Sequence, residues 1–233
     1  MSTSSLQPAY VLHTRRFRES SLIVELLSRE HGRCAVLAKG ALSPRASRQS
    51  QLRPFIPLLL EWRGRGELPL LTQCEAAASP HALTGRALYC GLYVNELVLR
   101  LCEREDPHSA LFSSYLQCIQ ALAQAPHDNA ALEPILRQFE LSLLAELGVG
   151  MQLEHDRDGM PIEPHRRYHY LPDAGPVPAP DEGEEGLPGA VLLALAAQRL
   201  DDPELRSGAR RLMRQVLDAH LGGRPLKSRD LFR

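Results

Sequence analysis

Short runs of aliphatic and β-branched residues, each cut off by a turn signal, fill the first part of this chain. Residues 9–14 (AYVLHT) and 20–27 (SSLIVELL) predict strands. Arg29-Glu30-His31-Gly32 supplies a turn, with Gly32 suited to a positive φ. Residues 34–38, 55–62 and 70–74 predict three more strands, Pro57 marking an edge or a bulge in the fourth. After Pro80 the period changes from two to 3.6. Leu88, Leu92, Leu97 and Leu101 line a helix predicted over 84–104, and Asp106-Pro107 reads as the start of a second, with Leu111, Tyr115, Ile119 and Leu122 as its apolar stripe. A third is expected from near Glu133-Pro134, carrying Leu136, Phe139, Leu143 and Leu147 before Gly148. Helicity resumes over 191–200. Asp202-Pro203 opens a final helix that Gly222-Gly223 ends.

The pattern predicts a mixed α+β chain. A five-stranded OB-fold β-barrel over residues 1–80 precedes a mostly α-helical domain over 81–233, within which 151–186 is a proline-rich, loop-like insertion. A hairpin is expected around Tyr168-His169-Tyr170. An SH3-like barrel or a meander would give the same strand string.

Net charge is −1, but its distribution is uneven. Residues 1–80 carry +5, 81–150 carry −4, 151–200 carry −5 and 201–233 carry +3. From His31 to Leu60 there are five bases and no acid: Arg33, Lys39, Arg45, Arg48 and Arg53. Such a strip over small strands is the footprint of a surface for a polyanion, nucleic acid first. These five, with Arg65 in the Gly64–Gly66 turn, are the candidate DNA-binding residues. They would meet phosphates of single- or double-stranded DNA without reading bases. Tyr10, Phe55 or Trp62 could add base stacking, although core positions explain the same rings.

The five cysteines (Cys34, Cys74, Cys90, Cys102, Cys118) lack C-x-x-C spacing and sit in apolar segments, as buried thiols in a reducing compartment do. His155, His165 and His169 form a poor metal set, and no cofactor or metal is expected. Nucleophile elbows, P-loops and dinucleotide fingerprints are missing, so binding outranks catalysis. The enzyme alternative would use the barrel as a substrate clamp, with Glu19 or Glu25 as metal ligands. Arg206, Arg210 and Arg214 fall on one stripe of the last helix, either a solvated face or a basic ledge. The start, MSTSSLQPAY, shows no basic segment leading into an apolar one, and no apolar run approaches a membrane span. A cytoplasmic, nucleoid-associated protein is expected, with no membrane partner.

Five stretches together resemble one family. They are AYVLHTRRFRESSLIVELLSREHGR, VLAKGA, LRPFIPLLLEWRGRGEL, LYCGLYVNELVLRL and the closing LKSRDLFR. In this order they look like RecO, the bacterial DNA repair and recombination mediator. The resemblance is dense over 9–150 and 221–233 and weak over 151–200. It implies an N-terminal OB-fold followed by a helical domain. It also implies a non-enzymatic protein of the RecF pathway that anneals complementary single strands. With RecR, such a protein helps RecA displace the single-stranded DNA-binding protein, SSB. It further implies that the C-terminal tail of SSB binds the helical domain, here at Arg137 with Leu136 and Leu141. Gln138 stands where the family often has a second base. The four zinc-binding cysteines of some relatives have no counterpart in residues 151–185. An adaptor for RecR that barely touches DNA is the remaining alternative.

Overall fold

The aliphatic and β-branched runs form five strands, β1 (Gln7–Phe17), β2 (Ser21–Ser28), β3 (Gly32–Ala38), β4 (Leu58–Arg63) and β5 (Leu70–Ala76), with a four-residue helix α1 (Arg48–Gln51) between β3 and β4. The computed structural model describes residues 5–43, 48–64, 66–180 and 186–232. The strands close into a barrel in the order β1-β2-β3-β5-β4, the arrangement of an OB-type barrel. β1 pairs antiparallel with β2 and, through Gln7–Ala9, with β4. β3 meets β5 in parallel at Leu37 and Leu70. Leu22, Val24, Leu26, Val36, Leu58 and Leu60 meet in the barrel core. Each such side chain taken from water contributes about 1.5–3 kcal/mol. The fourth strand begins later than the expected Phe55. Phe55 has φ of +68° and is buried, and Pro57 just after it has no N–H to donate.

The outer face of β1 is also covered. Tyr10 packs against Phe112 and Tyr115 of α3 (Ser109–Gln124), with ring centroids 5.9 and 5.2 Å away. Asn95 of α2 (Gly85–Leu101) donates to the Leu12 carbonyl at 3.0 Å and accepts the Tyr115 hydroxyl at 2.8 Å. A buried amide used on both sides costs little, whereas either partner left alone would cost about 1–3 kcal/mol.

The helix expected from Asp106-Pro107 begins instead at Ser109. Its approach is pinned to the barrel. Arg104 bridges Arg33, the Glu105 N–H donates to the Arg33 carbonyl at 2.8 Å, and the Asp106 carboxylate turns to His108. Gly32 is required here, because its φ is +60° and a Cβ would run into the Asp106 carbonyl.

Residues up to Gln124, joined by those from Leu226 on, form one compact unit, and residues 125–225 form a second. The barrel strands end at Ala76; the units divide further along, because α2 and α3 pack on the barrel. In the first unit, a 3-10 helix (Lys227–Phe232) returns to α2. The Glu96 carboxylate accepts the N–H of Lys227 at 3.0 Å, the N–H of Ser228 at 2.8 Å and its hydroxyl at 2.6 Å. Burial opposes the charge of Glu96, but these bonds and Arg100 hold its pKa below the ordinary carboxylate value. Cys34 and Cys102 are buried thiols, pushed up by burial to about 12 and about 11.

The second unit contains α4 (Asn129–Glu146), a small sheet ordered β7-β6-β8, α5 (Gly189–Ala196) and α6 (Pro203–His220). α4 begins four residues before Glu133, because Asp128 caps it by accepting the Ala131 N–H at 2.9 Å. The expected hairpin is present, with β6 (Arg167–Leu171) paired to β7 (Gly175–Pro178), and β8 (Leu187–Pro188) lies on its other side. Asp202 caps α6 through Glu204 and Leu205, with Pro203 in its first turn.

Candidate nucleic-acid interface

β1 outruns the part of the barrel that buries it. Tyr10, Val11 and Leu12 are buried, whereas His13, Arg15 and Arg16 are exposed and Phe17 is half-buried. The register sets Arg15, Arg16 and Phe17 opposite Ile23, Leu22 and Ser21. The chain then turns through Arg18-Glu19-Ser20, with Arg18 at φ +54° and its guanidinium 5.3 Å from the Phe17 ring centroid. One strand further on, Leu22 pairs with Ala38, so exposed Lys39 emerges beside the same turn. The Leu42 N–H donates to the Ser20 carbonyl at 2.9 Å, which ties the residues just after Lys39 to this turn. Arg53 is exposed next to Pro54, which bridges Val11 of β1. Among the described residues, none of Arg15, Arg16, Arg18, Lys39 and Arg53 forms an ion pair.

The acid-free strip read from sequence does not stay together. Arg33 is the second residue of β3 and Lys39 follows its last, about 20 Å apart at the strand rise. That is about two Debye lengths at physiological salt. Arg33 instead faces Glu25 at 3.6 Å and donates to the Cys102 carbonyl at 3.0 Å, and Arg104 binds the same carboxylate at 2.6 Å. Arg45 and Arg65, and the side chain of Arg48, lie outside the described residues. The stacking expectation for Tyr10, Phe55 and Trp62 is overturned, because all three rings are buried. Sequence reading missed Arg15, Arg16 and Arg18, three arginines within four residues that lie outside the acid-free window.

Arg137 also has a different setting from an ordinary surface arginine. It lies on α4 only 7% exposed, and its Nη2 donates at 2.8 Å to Oε1 of Glu140, which is fully buried. Its Nε is buried without a hydrogen-bond partner among the described residues. Leu141 shares its stripe one turn on and is half-buried, while Leu136 is in the core. On α6, Arg206 donates to the carbonyls of Leu200 and Asp201, Arg210 pairs with Glu133 at 3.0 Å and Arg214 with Asp218 at 3.8 Å. The α6 stripe is thus engaged inside its own unit. His155, His165 and His169 are all exposed.

Two family models match the chain end to end: Recombination protein O N terminal over residues 1–80 and Recombination protein O C terminal over 82–230. The chain belongs to the RecO family. It is 48% identical to DNA repair protein RecO of Halorhodospira halophila, covering 100% of this chain and 98% of that relative. It is likewise 48% identical to the RecO protein of Methylococcus capsulatus, over 98% of this chain and 93% of the relative. The RecO protein of Pseudomonas aeruginosa is 43% identical, over 100% and 96%. Membership of the RecO family gives the chain a role in DNA repair and recombination. Among the described residues no helix is long and apolar enough to cross a membrane.

Proposed function

We propose that this RecO chain is a non-enzymatic DNA-binding mediator whose DNA interface is the barrel end where the β1–β2 turn meets Lys39. The observation that carries the reading is the set of exposed cations gathered there by register, outside any ion pair among the described residues: Arg15, Arg16, Arg18 and Lys39. In this reading Arg53, Arg45, Arg48 and Arg65 supply further phosphate contacts, while Arg33 serves the fold. Four cations held close together with Glu19 as the one acid in the turn repel one another, and a phosphate backbone relieves that repulsion. Contacts of this kind position DNA without reading its sequence. Neutralising two strands at one surface lowers their mutual repulsion, which is the physical basis for annealing complementary single strands. With RecR as partner, the chain then helps RecA onto single strands coated by SSB. The SSB tail is taken by α4 at Arg137, whose guanidinium Glu140 orients, with Leu136 and Leu141 beside it.

The interface is tested by the triple variant Arg15→Ala, Arg16→Ala, Lys39→Ala, titrated against DNA at several salt concentrations. Three lost phosphate contacts lower the slope of log K against log salt by about 2–3. A folded variant with the wild-type slope places the DNA elsewhere.

A further inference from the structure

Phe17 is the aromatic ring that barrel burial leaves within reach of a ligand. It closes β1 opposite Ser21, half-buried, with Arg15 and Arg16 before it and Arg18 after it. Arg18 takes a positive φ, and its guanidinium rests 5.3 Å from the ring centroid. Glu19 is exposed in the same turn and is the nearby acid in sequence. A planar cation over a half-buried ring is an exchangeable cover. A nucleobase offers the same flat π-face, and a guanidinium displaced from the ring can move to a phosphate.

Resting on the DNA interface proposed above, we infer that Phe17 is a stacking platform for an unpaired base, with Arg18 passing from the ring to the backbone phosphate as the base arrives. Only single-stranded DNA can use such a platform. Bases inside a duplex are already stacked on both faces and present edges and phosphates alone. The cations at this barrel end serve both forms of DNA, and Phe17 discriminates between them.

The test compares full-length wild type and Phe17→Ala, binding a labelled oligo-dT and a duplex of equal length by fluorescence anisotropy. Affinity for the single strand falls about tenfold to a hundredfold, the range that base–aromatic stacking supplies. Duplex affinity and both salt slopes stay at wild-type values. Phe17→Trp retains single-strand binding. Phe17→Leu keeps an apolar cover without the π-face, so it shows the same selective loss even if the alanine variant folds poorly. Equal loss on both ligands, or no loss on either, overturns the stacking role. The Arg15, Arg16, Lys39 variant separates the two readings. If its slope falls while the Phe17 variants do not discriminate, only the stacking fails; if its slope is unchanged, the interface itself fails.

Discussion

Arginine does opposite work at the barrel end and on α4. Arg15, Arg16 and Arg18 stand in solvent, outside any ion pair among the described residues. Arg137 is buried against a carboxylate that no water reaches. The first set carries charge that the fold leaves uncommitted, and the second carries charge that the fold has already used. Removing an exposed cation should therefore alter what the protein binds. Removing Arg137 should alter whether its unit holds together.

The largest expected effect is at Arg137. Arg137→Ala leaves Glu140 buried without its cation and should lower stability by about 3–5 kcal/mol, read from urea unfolding followed by circular dichroism. The double variant Arg137→Met, Glu140→Leu should recover most of that loss. A cost below about 1 kcal/mol for the alanine variant would break the contrast. Arg137→Lys keeps the charge but loses the planar fork, so it should weaken an SSB tail peptide while the unit stays folded. Wild-type peptide affinity in that variant would refute the tail site.

An intermediate effect is expected at Arg33. Arg33→Met gives up the hydrogen bond to the Cys102 carbonyl and the approach to Glu25, which keeps Arg104. Its unfolding free energy should fall by about 1–3 kcal/mol, with an unchanged salt slope for DNA. A reduced slope would return Arg33 to the interface.

The smallest effect sharpens the other side. Arg15→Gln with Arg16→Gln should change stability by no more than about 0.5 kcal/mol, by the same urea measurement. A loss of several kcal/mol would mean that these arginines build the fold after all.

The sequence made the five strands legible, because aliphatic and β-branched runs bounded by turn residues read as strands. The order in which they close a barrel depends on pairings far apart in the chain. The site was less legible. Arg33 and Lys39 looked alike on the page, yet a seven-residue strand carries them to opposite ends, and only the α2–α3 connection reveals that Arg33 has a carboxylate and a carbonyl to meet. Tyr10 was a fair stacking candidate until α3 supplied Phe112 and Tyr115 to cover it. A strand residue facing away from a barrel is exposed or buried according to what packs there later in the chain. Local pattern cannot contain that information. Phe17 escaped notice for the reverse reason: β1 continues beyond its cover, a matter of pairing length. The late start of β4 and the delayed α3 have the same origin, since Phe55 packs closely against Gly91 of α2 and Asp106 against Gly32 of β3, both far away in sequence.

The return of residues 226–232 to α2 sets an order on synthesis. The chain leaves the first unit at Gln124 and comes back to it only at Leu226. At about 5–20 residues per second, a ribosome takes about 5–20 s to make the intervening stretch. Throughout that interval the barrel, α2 and α3 exist without the segment that Glu96 and Tyr89 will receive. The second unit, made entirely within the interval, is whole before the first. The earliest residues to be translated thus belong to the last unit to be completed.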